Sequence, residues 1–165
     1  VLHKPKLLIF DEPFSGFDPI NAKLLKDEIL ELRKNGATII FSTHNMASVE
    51  TLCDEITLIN KSHNILTGNV NEIRRLFGSD RYRFSFNGNP DSLLKAFGDS
   101  VVSNISSETT DDGTNHLTLR FAQGSSLHDI IATANDTVAL SAFSADLPSM
   151  DEIFITSVEN NNRRS

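Results

Sequence analysis

The sequence predicts an α/β fold in two parts: a parallel sheet in residues 1–78, followed by a small α+β domain in residues 79–159. Two runs are apolar without alternation, Leu7–Phe10 and Ile39–Phe41, as expected of parallel strands that are covered on both faces. An amphipathic pattern between the two runs predicts the helix that connects them. After Gly78 the composition shifts towards Ser, Thr, Asn and Asp, which indicates a second domain.

The first part begins with a strand and a helix, and short strands and helices then alternate. From Pro19 to Asn35 apolar residues recur at close to 3.6 residues, and Gly36 ends that helix. The pair Asp18-Pro19 is typical of an N-cap followed by proline at the first helical position. The predicted elements are strand Leu7–Phe10, helix Pro19–Asn35, strand Ala37–Thr43, helix Met46–Cys53, strands Glu55–Asn60 and Asn64–Thr67, and helix Val70–Phe77.

The second part shows the order strand, helix, strand, strand, helix, strand, which is the order of a ferredoxin-like module. A final helix, Met150–Val158, is placed in the same domain, and residues 160–165 are predicted to form a disordered tail. The six elements of the module are Arg81–Phe86, Asp91–Phe97, Val101–Ser107, His116–Phe121, Ser126–Ala134 and Val138–Phe143.

Polar side chains follow both apolar strands of the first part, at the point where each strand ends. Asp11 and Glu12 come directly after the first strand, and His44 follows the second. Open α/β sheets bind ligands at the carboxyl ends of their strands. A carboxylate pair at that edge is suited to holding a metal ion and acting on a phosphate.

These segments resemble the ATPase subunits of ABC transporters at three consecutive elements. The segment LLIFDEP is similar to the Walker-B strand, SGFDP to the D-loop, and ATIIFSTH to the strand that carries the switch histidine. The resemblance implies that the parallel sheet is part of a P-loop NTPase sheet. A further segment, LPSMDEIF at 147–154, is similar to the end of the small domain in bacterial ABC-2-type exporter ATPases.

The resemblance implies ATP and Mg²⁺ as cofactors and assigns roles to individual residues. Asp11 holds Mg²⁺, usually through a water molecule, and Glu12 is the general base. His44 contacts the γ-phosphate and the attacking water. The D-loop positions, at the dimer interface near the nucleotide, are Ser15, Gly16 and Asp18.

The same resemblance implies a second ATPase subunit and membrane permease subunits as partners. It places the protein in the bacterial cytoplasm, peripheral on the inner face of the plasma membrane. No apolar run approaches the roughly 20 residues that span a bilayer, so direct membrane insertion is not expected. The net charge of −7, with six basic and twelve acidic residues after Gly78, argues against nucleic acid as a partner.

Two motifs of an ATPase are absent from the sequence. A phosphate-binding loop requires Gly-Lys within its pattern, and no Gly-Lys pair occurs; the family's signature segment is missing as well. The sequence opens at Val1 and enters an apolar strand within a few residues. We therefore expect a carboxyl-terminal part of a longer protein, which on its own has no ATPase activity.

Two alternative functions are compatible with the sequence. In the first, the protein is a regulatory or interaction module, whose acidic second half contacts a partner or a second copy. In the second, it is a non-transport ABC-type ATPase of the DNA-repair or chromosome-organising kind. Those relatives carry long coiled-coil insertions, and they lack a small appended domain.

Overall fold

A computed structural model describes residues 5–164 and shows a mixed α/β fold. The described residues form two compact units, 5–71 with 149–164, and 72–148. The first unit contains β1 Leu7–Asp11, α1 Pro19–Lys34, β2 Thr38–Ser42, α2 Met46–Leu52, β3 Glu55–Asn60, β4 His63–Asn69 and α6 Met150–Arg164. The second contains β5 Arg81–Asn87, α4 Pro90–Phe97, β6 Val101–Thr109, β7 Asn115–Phe121, α5 Leu127–Thr137 and β8 Ala139–Ala145, while α3 Val70–Phe77 crosses the division.

Strands β1 and β2 pair in parallel, as the two apolar runs predict, with Leu7 opposite Thr38 and Asp11 opposite Ser42. The expectation that both faces of these strands are covered is wrong in this structure. Ile9 is 71% exposed and Ile40 is 55% exposed, so in the described part of the chain that face of the strand pair is open to solvent.

Helix α1 begins and ends where its sequence signals predict. Pro19 is its first residue, and Asn35 is the residue at its C-cap. Gly36 follows with a φ of +89°, a left-handed conformation that glycine adopts without a steric penalty. Strands β3 and β4 form an antiparallel hairpin, in which Lys61 and Ser62 make the turn.

The last helix differs from its prediction in length and in placement. Helix α6 continues to Arg164, through the segment for which a disordered tail was expected. Within that segment, Lys61 Nζ donates a hydrogen bond to Asn162 Oδ1 at 2.8 Å. Ser165 lies outside the described residues. It belongs to the first unit rather than to the predicted second domain, since it contacts α2 and β4 and buries Met150 and Ile153. No helix among residues 5–164 is both long enough and apolar enough to cross a membrane.

The second unit is a four-stranded sheet with the strand order β6-β7-β5-β8, in which every neighbouring pair is antiparallel. The predicted order of strands and helices is confirmed. Alternate residues of the two central strands face helices α4 and α5 and make the core with them. This core contains Phe84, Phe86, Leu93, Phe97, Leu117, Leu119, Phe121, Ile130, Ala134 and Val138.

Candidate active site

The candidate site lies at the carboxyl ends of β1 and β2. Because the two strands are parallel and Asp11 lies opposite Ser42, both strands end at the same edge of the sheet. The residues that follow, Glu12 on one strand and Thr43-His44 on the other, therefore leave the sheet side by side. The register brings together the carboxylates and the imidazole that the sequence analysis singled out.

Three hydrogen-bonding groups of the β2 end converge on the Glu12 carboxylate. The His44 backbone amide donates to Oε1 at 3.0 Å, and His44 Nδ1 lies 2.8 Å from the same oxygen. The Thr43 hydroxyl donates to Oε2 at 3.4 Å. The His44 side chain is 83% exposed and that of Glu12 is 36% exposed, so both groups are open to a ligand from solvent.

The backbone of Glu12 turns sharply away from the strand. Its φ of +44° lies in the left-handed region, which residues other than glycine rarely adopt. The Glu12 amide donates to the Ser42 carbonyl oxygen at 3.2 Å, and its own carbonyl accepts from the Ser15 amide at 3.1 Å. Strained conformations of this kind cost about 1–3 kcal/mol and cluster at functional sites.

Asp11 and Glu12 engage different partners, although they are adjacent in sequence. The Asp11 carboxylate accepts a hydrogen bond from the Ser42 hydroxyl, whereas Glu12 turns to Thr43 and His44. Among residues 5–164, no group of three or more His, Cys, Asp or Glu side chains is arranged to hold a metal ion. A single carboxylate such as Asp11 still suits Mg²⁺, which usually keeps several waters and binds substrate phosphates.

Asp18 caps helix α1, as predicted. Its Oδ1 accepts hydrogen bonds from the backbone amides of Ile20 at 2.9 Å and Asn21 at 3.1 Å. The Asn21 backbone and side-chain hydrogen bonds lower the pKa of the Asp18 carboxyl. Ser15 and Gly16 form the exposed turn before this cap, with φ of +78° at Gly16. The structure thus gives Asp18 a helix-capping role and does not join it to the Glu12–His44 pair.

Two residues that the sequence did not single out contact the candidate carboxylates. Ser42 donates to Asp11, and Thr43 donates to Glu12. The parallel pairing of the strands was the available signal, because an in-register pair sets Ser42 opposite Asp11. Asn45 caps helix α2, since its side chain accepts from the Ser48 amide at 2.9 Å.

Residues 68–158 match the model of the family described as ATP-binding protein DrrA1-3-like, C-terminal domain. The chain belongs to this family of ABC transporter ATP-binding proteins. The matched residues include the whole second unit and most of α6. Asp11, Glu12 and His44 lie before the matched residues, so the match to this family does not depend on the candidate site.

Similar proteins match the first unit of the chain as well as the second. The uncharacterized ABC transporter ATP-binding protein YhaQ of Bacillus subtilis is 35% identical over 96% of the chain and 50% of its own length. A fluoroquinolones export ATP-binding protein of Mycobacterium tuberculosis is 31% identical over 82% of the chain and 43% of its own length. The linearmycin resistance ATP-binding protein LnrL of B. subtilis is 36% identical over 48% of the chain and 26% of its own length. The chain spans at most half the length of these relatives.

Proposed function

We propose that the chain carries the metal-binding and water-activating side of the nucleotide site in an ATP-hydrolysing subunit of an ABC exporter. The observation that carries this proposal is the pairing of Glu12 with His44 at the shared edge of two parallel strands, with Nδ1 and Oε1 2.8 Å apart. Membership in a family of ABC transporter ATP-binding proteins supports it independently.

In the proposed reaction, water attacks the γ-phosphorus of ATP and the bond to the β–γ bridging oxygen breaks. Glu12 orients the water and accepts its proton, which is the role of a general base. His44 donates a hydrogen bond from Nε2 to the γ-phosphate, while Nδ1 faces the Glu12 carboxylate. Bound Mg²⁺ would neutralise charge on the phosphate oxygens, and Asp11 is the residue that would hold it.

The same proposal assigns a fold to each of the two parts of the chain. Strands β1 and β2 are part of the parallel sheet of a P-loop NTPase, whose phosphate loop is supplied by residues outside this sequence. Four antiparallel strands in the order β6-β7-β5-β8, with helices after β5 and β7, support a ferredoxin-like second domain. The domain boundaries 1–78 and 79–159 remain our proposal, although the contacts of α6 place this helix in the first unit.

The proposed subunit works as a dimer, bound to permease subunits at the inner face of the bacterial plasma membrane. Ser15, Gly16 and Asp18 lie at the exposed turn after β1, where a D-loop would meet the second subunit. Two relatives are named for fluoroquinolones export and for linearmycin resistance, which supports export as the direction of transport.

The test is to replace Glu12 by Gln in the complete gene product. The change keeps the side-chain shape and removes the base, so Mg²⁺-dependent ATP hydrolysis should fall about 10²- to 10⁴-fold while ATP binding is retained. The 165-residue chain alone should show no hydrolysis, because it lacks a phosphate loop.

Glu28 provides the matched control, since it is an exposed glutamate on α1. Glu28→Gln should leave the hydrolysis rate unchanged. Hydrolysis within a few-fold of the parent in Glu12→Gln would show that Glu12 is not the base.

A further inference from the structure

Helix α2 begins at Met46, two residues after His44, so its position constrains where that imidazole lies. Asn45 is the N-cap of α2, and its side chain accepts from the Ser48 amide at 2.9 Å. The helix has seven residues, which is two turns, and Glu50 lies on its second turn. A shift of α2 would therefore move the cap and His44 with it.

The first turn of α6 contacts α2 through Glu50. The Met150 amide, at the first position of α6, has no acceptor within its own helix, and it donates to Glu50 Oε1 at 2.6 Å. A hydrogen bond to a carboxylate is about twice as strong as one between neutral groups, and the positive end of the helix dipole adds to it. Ser149 and Glu152 satisfy two neighbouring amides of the same turn by a reciprocal pair of hydrogen bonds.

Packing around this contact is dense, in contrast to the exposed faces of β1 and β2. Val49 and Leu52 of α2 and Met150 and Ile153 of α6 are each no more than 7% exposed. The other end of α2 is held by Arg33 of α1, which donates to the Leu52 carbonyl at 3.3 Å and pairs with Asp54 at 2.8 Å.

We propose that Glu50 is a positioning residue for hydrolysis. Held by the first amide of α6, it keeps α2 in the place that sets His44 against the Glu12 carboxylate. The proposal rests on the proposed function, because it assigns Glu50 to the same Glu12–His44 site. Glu50 is the fifth of the seven residues of α2, so its proposed effect on His44 is transmitted through the helix.

The test compares Glu50→Ala, Glu50→Gln and the control Glu28→Ala in the complete gene product. A 1 Å misplacement can lower a rate by about 10²-fold, so Glu50→Ala should lower kcat about 10- to 100-fold with the KM for ATP within about threefold. Glu50→Gln keeps an oxygen acceptor and should retain kcat within about threefold. Should Glu50→Ala fail to fold, Glu50→Asp replaces it, because the shorter carboxylate loses the reach, and the same split between kcat and KM is expected.

Two kinetic results would overturn the proposal. One is a kcat for Glu50→Ala within twofold of the parent, and the other is a loss of kcat in Glu50→Gln as large as that in Glu50→Ala.

Amide exchange of the peptide containing His44, read by mass spectrometry, requires no turnover. It therefore separates a failure of this proposal from a failure of the proposed function. If the parent protein does not hydrolyse ATP, faster exchange of that peptide in Glu50→Ala than in Glu28→Ala still supports the positioning role, and unchanged exchange overturns it.

Discussion

Among single residues, three carboxylates of the first unit each accept hydrogen bonds from a different set of donors. Asp11 accepts from Ser42, Glu12 from the Thr43-His44 segment, and Asp18 from the first amides of α1. Asp11, Glu12 and Asp18 could be selected as candidate residues from the sequence, because each follows a predicted strand or precedes a predicted helix. The left-handed backbone of Glu12 could not be predicted, because no local sequence rule places a non-glycine residue there.

Asp18→Ala should destabilise the start of α1, because the Ile20 and Asn21 amides lose their acceptor. Asp18→Asn keeps a side-chain oxygen that can accept these hydrogen bonds, so it should preserve most of the stability of the first turn. Amide exchange of Ile20 and Asn21, compared between the two variants, measures the effect. Equal exchange in Asp18→Ala and the parent would show that the cap contributes nothing.

The same cap has a defined pH dependence. Its hydrogen bonds lower the pKa of Asp18 in the folded chain, relative to the ordinary value of 3.8. The stabilisation is therefore fully present above that value and is lost as the pH falls through the lowered native pKa.

Among the secondary-structure elements, the β1–β2 pair is far more exposed than the central strands of the four-stranded sheet. Strands β5 and β7 bury Phe84, Phe86 and Leu119 completely, whereas β1 and β2 leave Ile9 and Ile40 more than half exposed. The apolar runs predicted the parallel pairing correctly, since a run without alternation is typical of it. The exposure could not be predicted from these runs, because it depends on which other elements pack against the pair.

Amide exchange across the 165-residue chain should therefore be uneven. Amides of β5 and β7 should exchange most slowly, by opening of the whole second unit, and those of β1 and β2 should exchange much faster through local opening. Exchange of both sheets at the same slow rate would contradict the uneven packing described here. The complete gene product is the control, in which β1 and β2 should become protected.

In the molecule as a whole, the candidate site and the apolar core cluster lie in different units. Glu12 and His44 are in the first unit, while the apolar core cluster around Phe84 is in the second. The sequence predicted two parts but assigned the last helix to the second. Its apolar residues fit either part, and only the burial of Met150 and Ile153 where α6 docks places it with the first. In the proposed function, α6 and Glu50 support the candidate site from within the same unit.

A double-mutant cycle on ATP hydrolysis by the complete gene product, using Glu12→Gln and His44→Ala, tests whether these two residues act together. Residues that act on one water and one phosphate as a unit are strongly non-additive. We predict that the double variant hydrolyses ATP no more than a few-fold slower than the slower single variant. Losses that multiply would show that Glu12 and His44 act independently and would contradict the account.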